Sequence, residues 1–220
     1  MSIFFQRTSL QPPPFWATRL GAFVGQDCVL CGSGGRDLVC AACRGALVAA
    51  PRNHDDVVAA FAYRFPLDRL VRRFKFAGDL ALGRWLGEAV ADVARAESRP
   101  ALLVVPPSTR ERLRQRGFNP ALEIAKSVAR ELELECARAA LRRTRETQPQ
   151  PGLGRHERRR NLDGAFACDR DLRGLHVAIV DDVMTTGATV DAVAAALRRA
   201  GAARVSAWVA ARTPPPLTNP

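Results

Sequence analysis

A chain of 220 residues, 47% hydrophobic and 25% charged, has room for one sizeable core and a small appendage. No apolar run approaches the roughly 20 residues that span a bilayer, and residues 1–10 lack the basic start and long apolar stretch of a signal peptide, so a soluble cytoplasmic protein with no membrane insertion is expected. The net charge of +11 rests on arginine, with Lys75 and Lys126 the only lysines, and points to anionic partners: phosphates, nucleic acid or both.

Residues 1–25 form an N-terminal extension in which Pro12-Pro13-Pro14 precedes an apolar patch at 15–24. The patch is expected to dock on the body as a short helix. Next comes a four-cysteine module over 26–50, with Cys28, Cys31, Cys40 and Cys43 spaced C-x2-C-x8-C-x2-C. Two such knuckles complete a tetrahedral structural zinc site, and Gly32 and Gly45 suit the tight turns behind them. A disulfide pair would need an oxidising compartment, and a redox C-x-x-C normally comes once, beside a strand–helix unit. Cys136 and Cys168 lack a partner motif and read as small hydrophobes.

A polar linker at 51–56 opens a mixed α/β domain that runs to 212. Residues 57–65 alternate as a strand. Leu67, Leu70, Val71 and Phe74 give helical spacing over 67–76, as do Leu82, Leu86, Val90 and Val93 over 80–96. The continuous apolar run at 101–105 reads as a central parallel strand, followed by a loop over 106–118. Asn119 as N-cap and Pro120 at the first helical position start a helix to about 132. A buried strand at 177–180, a helix at 190–200, a strand at 204–210 and a frayed tail at 213–220 complete the chain. This alternation predicts a doubly wound, mostly parallel sheet with its ligand at the C-terminal strand ends.

One stretch carries chemistry outright: residues 177–190, V-A-I-V-D-D-V-M-T-T-G-A-T-V. A buried strand leads into Asp181-Asp182, then into the loop Thr185-Thr186-Gly187-Ala188-Thr189 at a helix start. Backbone N–H groups, the helix dipole and Thr hydroxyls there suit a phosphate, and Gly lets the backbone come close. The carboxylates suit vicinal ribose hydroxyls, directly or through a divalent cation. Pro106-Pro107-Ser108 ends the strand at 101–105 and is by itself a strand stop, but it should share the sheet edge of the acid pair. Arg110, Arg112, Arg114 and Arg116 follow at once, suited to bidentate phosphate contacts. Residues 110–116 hold four Arg against one acid and 141–161 seven against two, so these segments concentrate the positive charge. The second segment lacks apolar periodicity and reads as a lid loop.

Residues 177–190 match the phosphoribosyl-diphosphate (PRPP) motif of the type I phosphoribosyltransferases, and with the double cysteine knuckle the chain resembles the ComF (ComF/GntX) family. Residues 74–79 (F-K-F-A-G-D), 105–108 with 116–119, Arg143-Thr144, Thr147-Gln148, Arg158, Arg160-Asn161 and Phe166 fit the same pattern. The resemblance implies a zinc ribbon on a type I phosphoribosyltransferase-like domain. It places PRPP and Mg with catalytic Asp181 and Asp182, the 5′-phosphate on Thr185, Thr186, Gly187, Ala188 and Thr189, and the diphosphate by Pro106, Pro107, Ser108, Arg112 and Arg116. It also implies a role in DNA uptake during natural transformation, with single-stranded DNA as partner and a competence helicase as another. Phe15, Trp16, Phe74, Phe76 and Phe118 are candidates for base stacking. Purine-type enzymes often carry Asp where this chain has Thr185, so purine salvage loses support. The alternative is an active phosphoribosyltransferase of nucleotide or base metabolism whose acceptor the sequence does not identify.

Overall fold

The computed structural model describes residues 25–51, 56–145 and 160–214. The cysteine module contains two short strands, β1 (Gln26–Asp27) and β2 (Gly34–Gly35), paired antiparallel, and one helical turn, α1 (Ala41–Gly45). The main domain follows as β3 (Val57–Ala62), α2 (Leu67–Ala77), α3 (Leu80–Ala94), β4 (Leu102–Val104), α4 (Arg110–Arg116) and α5 (Pro120–Leu132). Then come β5 (Glu135–Cys136), β6 (Leu141–Arg143), β7 (Phe166–Cys168), β8 (His176–Met184), α6 (Ala188–Arg199) and β9 (Arg204–Arg212).

Five strands form one parallel sheet in the order β3-β9-β8-β4-β5. Its central strands have no polar face. Val177 and Ile179 pack with Val205, Ala207 and Val209 under α6, whereas Ala178 and Val180 pack with Trp208 and Ala210 toward α2, α3 and α5. Side chains two apart share a face, so continuous apolar strands need helices on both sides. This is the doubly wound, mostly parallel α/β architecture expected from the sequence.

Two glycines set how closely one helical layer packs. A Cβ at Gly83 of α3 would lie 2.6 Å from Phe74 Cε2, and one at Gly87 only 2.5 Å from Ser127 Cβ of α5. Gly83 thus lets Phe74 seat fully in the core and fixes the rotation of α2.

Four features differ from expectation. Residues 110–116 are helical rather than loop: Thr109 Oγ1 accepts the Arg112 N–H at 3.3 Å, an N-cap, and Gly117 closes the helix at φ +77°. Strand β8 runs four residues beyond 180, through both acids, because β9 is long enough to pair it up to Met184↔Arg212. Helix α6 starts at Ala188 rather than 190. Leu141–Arg143 and Phe166–Cys168 are an antiparallel pair at the start of, and just beyond, the expected lid loop. The three-residue strands are too short for periodicity to reveal them. Within that loop, residues 146–159 lie outside the described residues, as do 1–24 and 215–220.

Candidate functional site

The acid pair sits at the C-terminal end of β8, where its ladder to β9 still holds Asp181 opposite Val209. Each carboxylate folds back on the backbone. Asp181 Oδ1 accepts the Asp182 N–H at 2.8 Å, and Asp182 Oδ1 accepts the Val183 N–H at 2.5 Å. The other Asp182 oxygen, Oδ2, meets Lys75 Nζ at 2.8 Å, with the two side chains only 13% and 18% exposed. Burial, and then the neighbouring Asp182 charge, pushes the Asp181 carboxyl up to about 7. A carboxyl group whose neutral form is favoured in this way, at the C-terminal end of a central strand, is a candidate for proton exchange.

Beyond the acids, residues 185–187 turn into α6. Gly187 takes φ +79°, a left-handed conformation that glycine adopts freely, and Thr186 Oγ1 accepts the Ala188 N–H at 3.4 Å. Thr185 is exposed, Thr186, Gly187 and Thr189 are half-buried, and Ala188 is buried. The 12-residue α6 presents its N-terminal end at this turn.

Strand β4 pairs with β8 in the register Val104↔Ile179, so Pro106, Pro107 and Ser108 leave the sheet on the acid pair's edge. Two side chains tie that loop to the domain. Asn119 Nδ2 donates to the Pro106 carbonyl at 3.0 Å, and Arg143 Nε donates to the Pro107 carbonyl at 2.9 Å. Asn119 Oδ1 also accepts the Ala121 N–H at 3.1 Å, the expected N-cap of α5. Arg112 and Arg116 lie four apart on α4, on one face. Arg112 bears on Asp181 and Arg116 on Asp182, while burial and then the Arg112 charge lower the Arg116 pKa. Arg116 also lies over the Phe76 ring, 5.3 Å from its centroid.

The charges of Arg112 and Arg116 thus act on Asp181 and Asp182, and Lys75, from the family-like segment 74–79, joins them by an ion pair to Asp182. Arg143 and Asn119 are further residues whose site roles went unread. The signal for Lys75 was its type, a rare lysine in an arginine-rich chain. Among the stacking candidates, Phe74 is fully buried and packs against the half-buried Phe118 at 5.4 Å between centroids, so neither is placed for bases. Phe76 is 72% exposed; Phe15 and Trp16 lie outside the described residues. The chain on either side of 146–159 is drawn together, because Arg145 Nη2 donates to the Asn161 and Asp163 carbonyls at 2.9 and 3.0 Å.

In the cysteine module all four Sγ atoms lie within 4.8 Å of one another, with Cys31 and Cys40 at 3.7 Å. Zn–S bonds of about 2.3 Å arranged tetrahedrally require S···S edges of about 3.8 Å, so the donor set fits a zinc ion. The Cys40 N–H points at Cys28 Sγ at 3.4 Å and is the first of several backbone donors that lower the Cys28 pKa to about 6. Gly32 turns at φ +73°, as the first knuckle needs. Gly45 instead ends the α1 turn without left-handed geometry, so the second knuckle closes as a helical turn. Val39, fully buried in the core beside α2 and α3, ties the module to the domain.

Among the described residues no helix is long and apolar enough to cross a membrane. The phosphoribosyl transferase domain model matches residues 115–216. DNA utilization protein YhgH of Escherichia coli K12 is 36% identical over 163 residues, 71% of this chain and 72% of that protein. Competence protein F of Haemophilus influenzae is 32% identical over 167 residues, 72% of this chain and 73% of that protein. Among solved structures, glutamine PRPP amidotransferase from B. subtilis overlays with a TM-score of 0.41 at 20% identity, covering 63% of this chain and 27% of that one.

Proposed function

The chain belongs to the ComF family, and we propose that it binds PRPP with Mg²⁺ at the C-terminal end of β8 and serves DNA uptake in natural transformation by handling single-stranded DNA. The observation that carries the reading is the ion pair of Lys75 with Asp182, beside Asp181 at the end of β8, with the charges of Arg112 and Arg116 on α4 acting on the same two acids.

The ribose hydroxyls lie at Asp181 and Asp182, and the 5′-phosphate at Thr185, Thr186, Gly187, Ala188 and Thr189 where α6 begins. The diphosphate runs toward Pro106, Pro107, Ser108, Arg112 and Arg116. The donor chemistry fits Mg²⁺, which is typically held by one or two carboxylates plus substrate phosphates. When bound, Mg²⁺ neutralises charge on the diphosphate. Arg112 and Arg116 add fixed positive charge on the same side, so negative charge developing there is stabilised without reorganisation. Zinc on Cys28, Cys31, Cys40 and Cys43 holds the N-terminal module, which is too small to fold on its own apolar surface.

Calorimetric titration with PRPP, with and without Mg²⁺, tests the site; saturable, Mg-dependent binding supports it, and no heat with Mg²⁺ present removes it. DNA handling is tested by single-stranded oligonucleotide binding at rising salt. Phosphate-tracking arginines make affinity fall steeply with salt, and binding indifferent to salt removes that part. A cytoplasmic location and a competence helicase as partner go with this reading.

A second reading, turnover by an active phosphoribosyltransferase of nucleotide or base metabolism, draws on Asp181. A carboxyl group raised to about 7 suits proton transfer near neutral pH. Diphosphate release from Mg–PRPP in the presence of a panel of bases and amines tests it.

A further inference from the structure

Lys75 is one of two lysines in a chain with 33 basic residues, and its environment differs from that of the other. Lys126 pairs with Glu123 across a turn of α5 and is 40% exposed. Lys75 is 18% exposed and aimed at the acid pair. Its direction is set by its neighbours: Phe74 is locked in the core against Gly83 and Phe118, and Phe76 faces outward under Arg116. The ammonium therefore comes to Asp182 because α2 has one rotation available.

Three of the four carboxylate oxygens of the pair are already engaged: Asp181 Oδ1 by the Asp182 N–H, Asp182 Oδ1 by the Val183 N–H, and Asp182 Oδ2 by Lys75. A metal ion and an ammonium group at one oxygen repel each other, so the two compete for it. A free divalent cation would also meet the positive charge of Lys75, Arg112 and Arg116 around the pair. A cation carried on a polyphosphate brings net negative charge instead, which those same three groups attract.

We infer that Lys75 holds the cation position at Asp182 until a metal-bearing diphosphate ester displaces it, so the acid pair admits Mg²⁺ together with its anionic ligand and discriminates against the free ion. The displaced ammonium then has the diphosphate as its next acceptor. This rests on the PRPP reading of the site. Lysine suits the exchange better than arginine, because a single compact charge on a flexible stem can leave one oxygen and reach another. A planar guanidinium would grip the carboxylate bidentately.

Equilibrium Mn²⁺ binding, followed by electron paramagnetic resonance, and Mg–PRPP binding, followed by calorimetry, decide the matter on wild type, Lys75→Met and Lys75→Arg. Lys75→Met is expected to bind Mn²⁺ alone on the order of tenfold or more tighter than wild type, since the competing charge is gone. The same variant is expected to bind Mg–PRPP on the order of tenfold more weakly. Lys75→Arg is expected to gain no Mn²⁺ affinity and to lose Mg–PRPP affinity. Mn²⁺ binding to Lys75→Met no tighter than to wild type overturns the inference. Should Lys75→Met fail to fold, undiminished Mg–PRPP affinity in Lys75→Arg overturns it equally. Wild type that refuses PRPP even with Mg²⁺ strikes the PRPP reading itself, while the Mn²⁺ comparison still decides the role of Lys75.

Discussion

Arg143, on the strand that leads into the 146–159 segment, donates its Nε–H to the Pro107 carbonyl at 2.9 Å while its guanidinium lies over Phe166, 4.9 Å from the ring centroid. The β6–β7 pair is thereby tied to the loop that leaves β4 on the acid pair's edge. Replacing Arg143 by Ala removes a charge-assisted hydrogen bond and a ring contact, which together cost about 2 kcal/mol. The expected outcome is a melting temperature lowered by about 4–8 °C together with weakened PRPP binding, read by scanning and titration calorimetry.

Helix α3 approaches α5 so closely that a methyl group at Gly87 meets Ser127 Cβ at 2.5 Å and the Ile124 carbonyl at 2.7 Å. Backbone gives way less readily than the end of a long side chain. Gly87→Ala is expected to destabilise the domain by about 1–3 kcal/mol despite alanine's better helix propensity. Urea denaturation against wild type checks both sign and size.

Acid–base linkage makes a prediction at Asp181. Burial and then the Asp182 charge raise its folded-state pKa from 3.8 to about 7, so between those values the folded protein keeps a proton that the unfolded chain has lost. Stability therefore falls as pH rises through this window, and the full penalty is present above about 7. Asp181→Asn removes this contribution. The stability difference between variant and wild type is expected to shift in the variant's favour from pH 4 to pH 8, measured by denaturant unfolding without added metal.

Much of this site was legible in the residues. The acid pair, the 185–189 loop and the four cysteines each need a specific residue at a specific spacing, and such patterns survive as sequence. The helical state of 110–116 did not show, because alternating arginines mask any apolar face, and none of its residues is buried. Lys75 went unassigned for a different reason. It lies more than 100 positions before Asp182, and only the Phe74–Gly83 packing reveals where its ammonium points. The β6–β7 pair went unread because three-residue strands carry no period.

Removal of metal tests the N-terminal module. With Val39 buried in the domain core, loss of the ion is expected to unsettle both parts. Chelation, or Cys40→Ser, should lower the melting temperature by several degrees or more, and elemental analysis should find about one zinc per wild-type chain.

On the proposed reading, the acid pair at the end of β8 holds the ribose of a Mg-bound phosphoribosyl diphosphate. Calorimetry of PRPP with Mg²⁺ on wild type beside Asp182→Asn tests it most directly. Wild type is expected to bind saturably and only with Mg²⁺, and Asp182→Asn to lose about tenfold or more in affinity while remaining folded. Equal PRPP affinity in the two proteins, or binding that ignores Mg²⁺, would contradict the account.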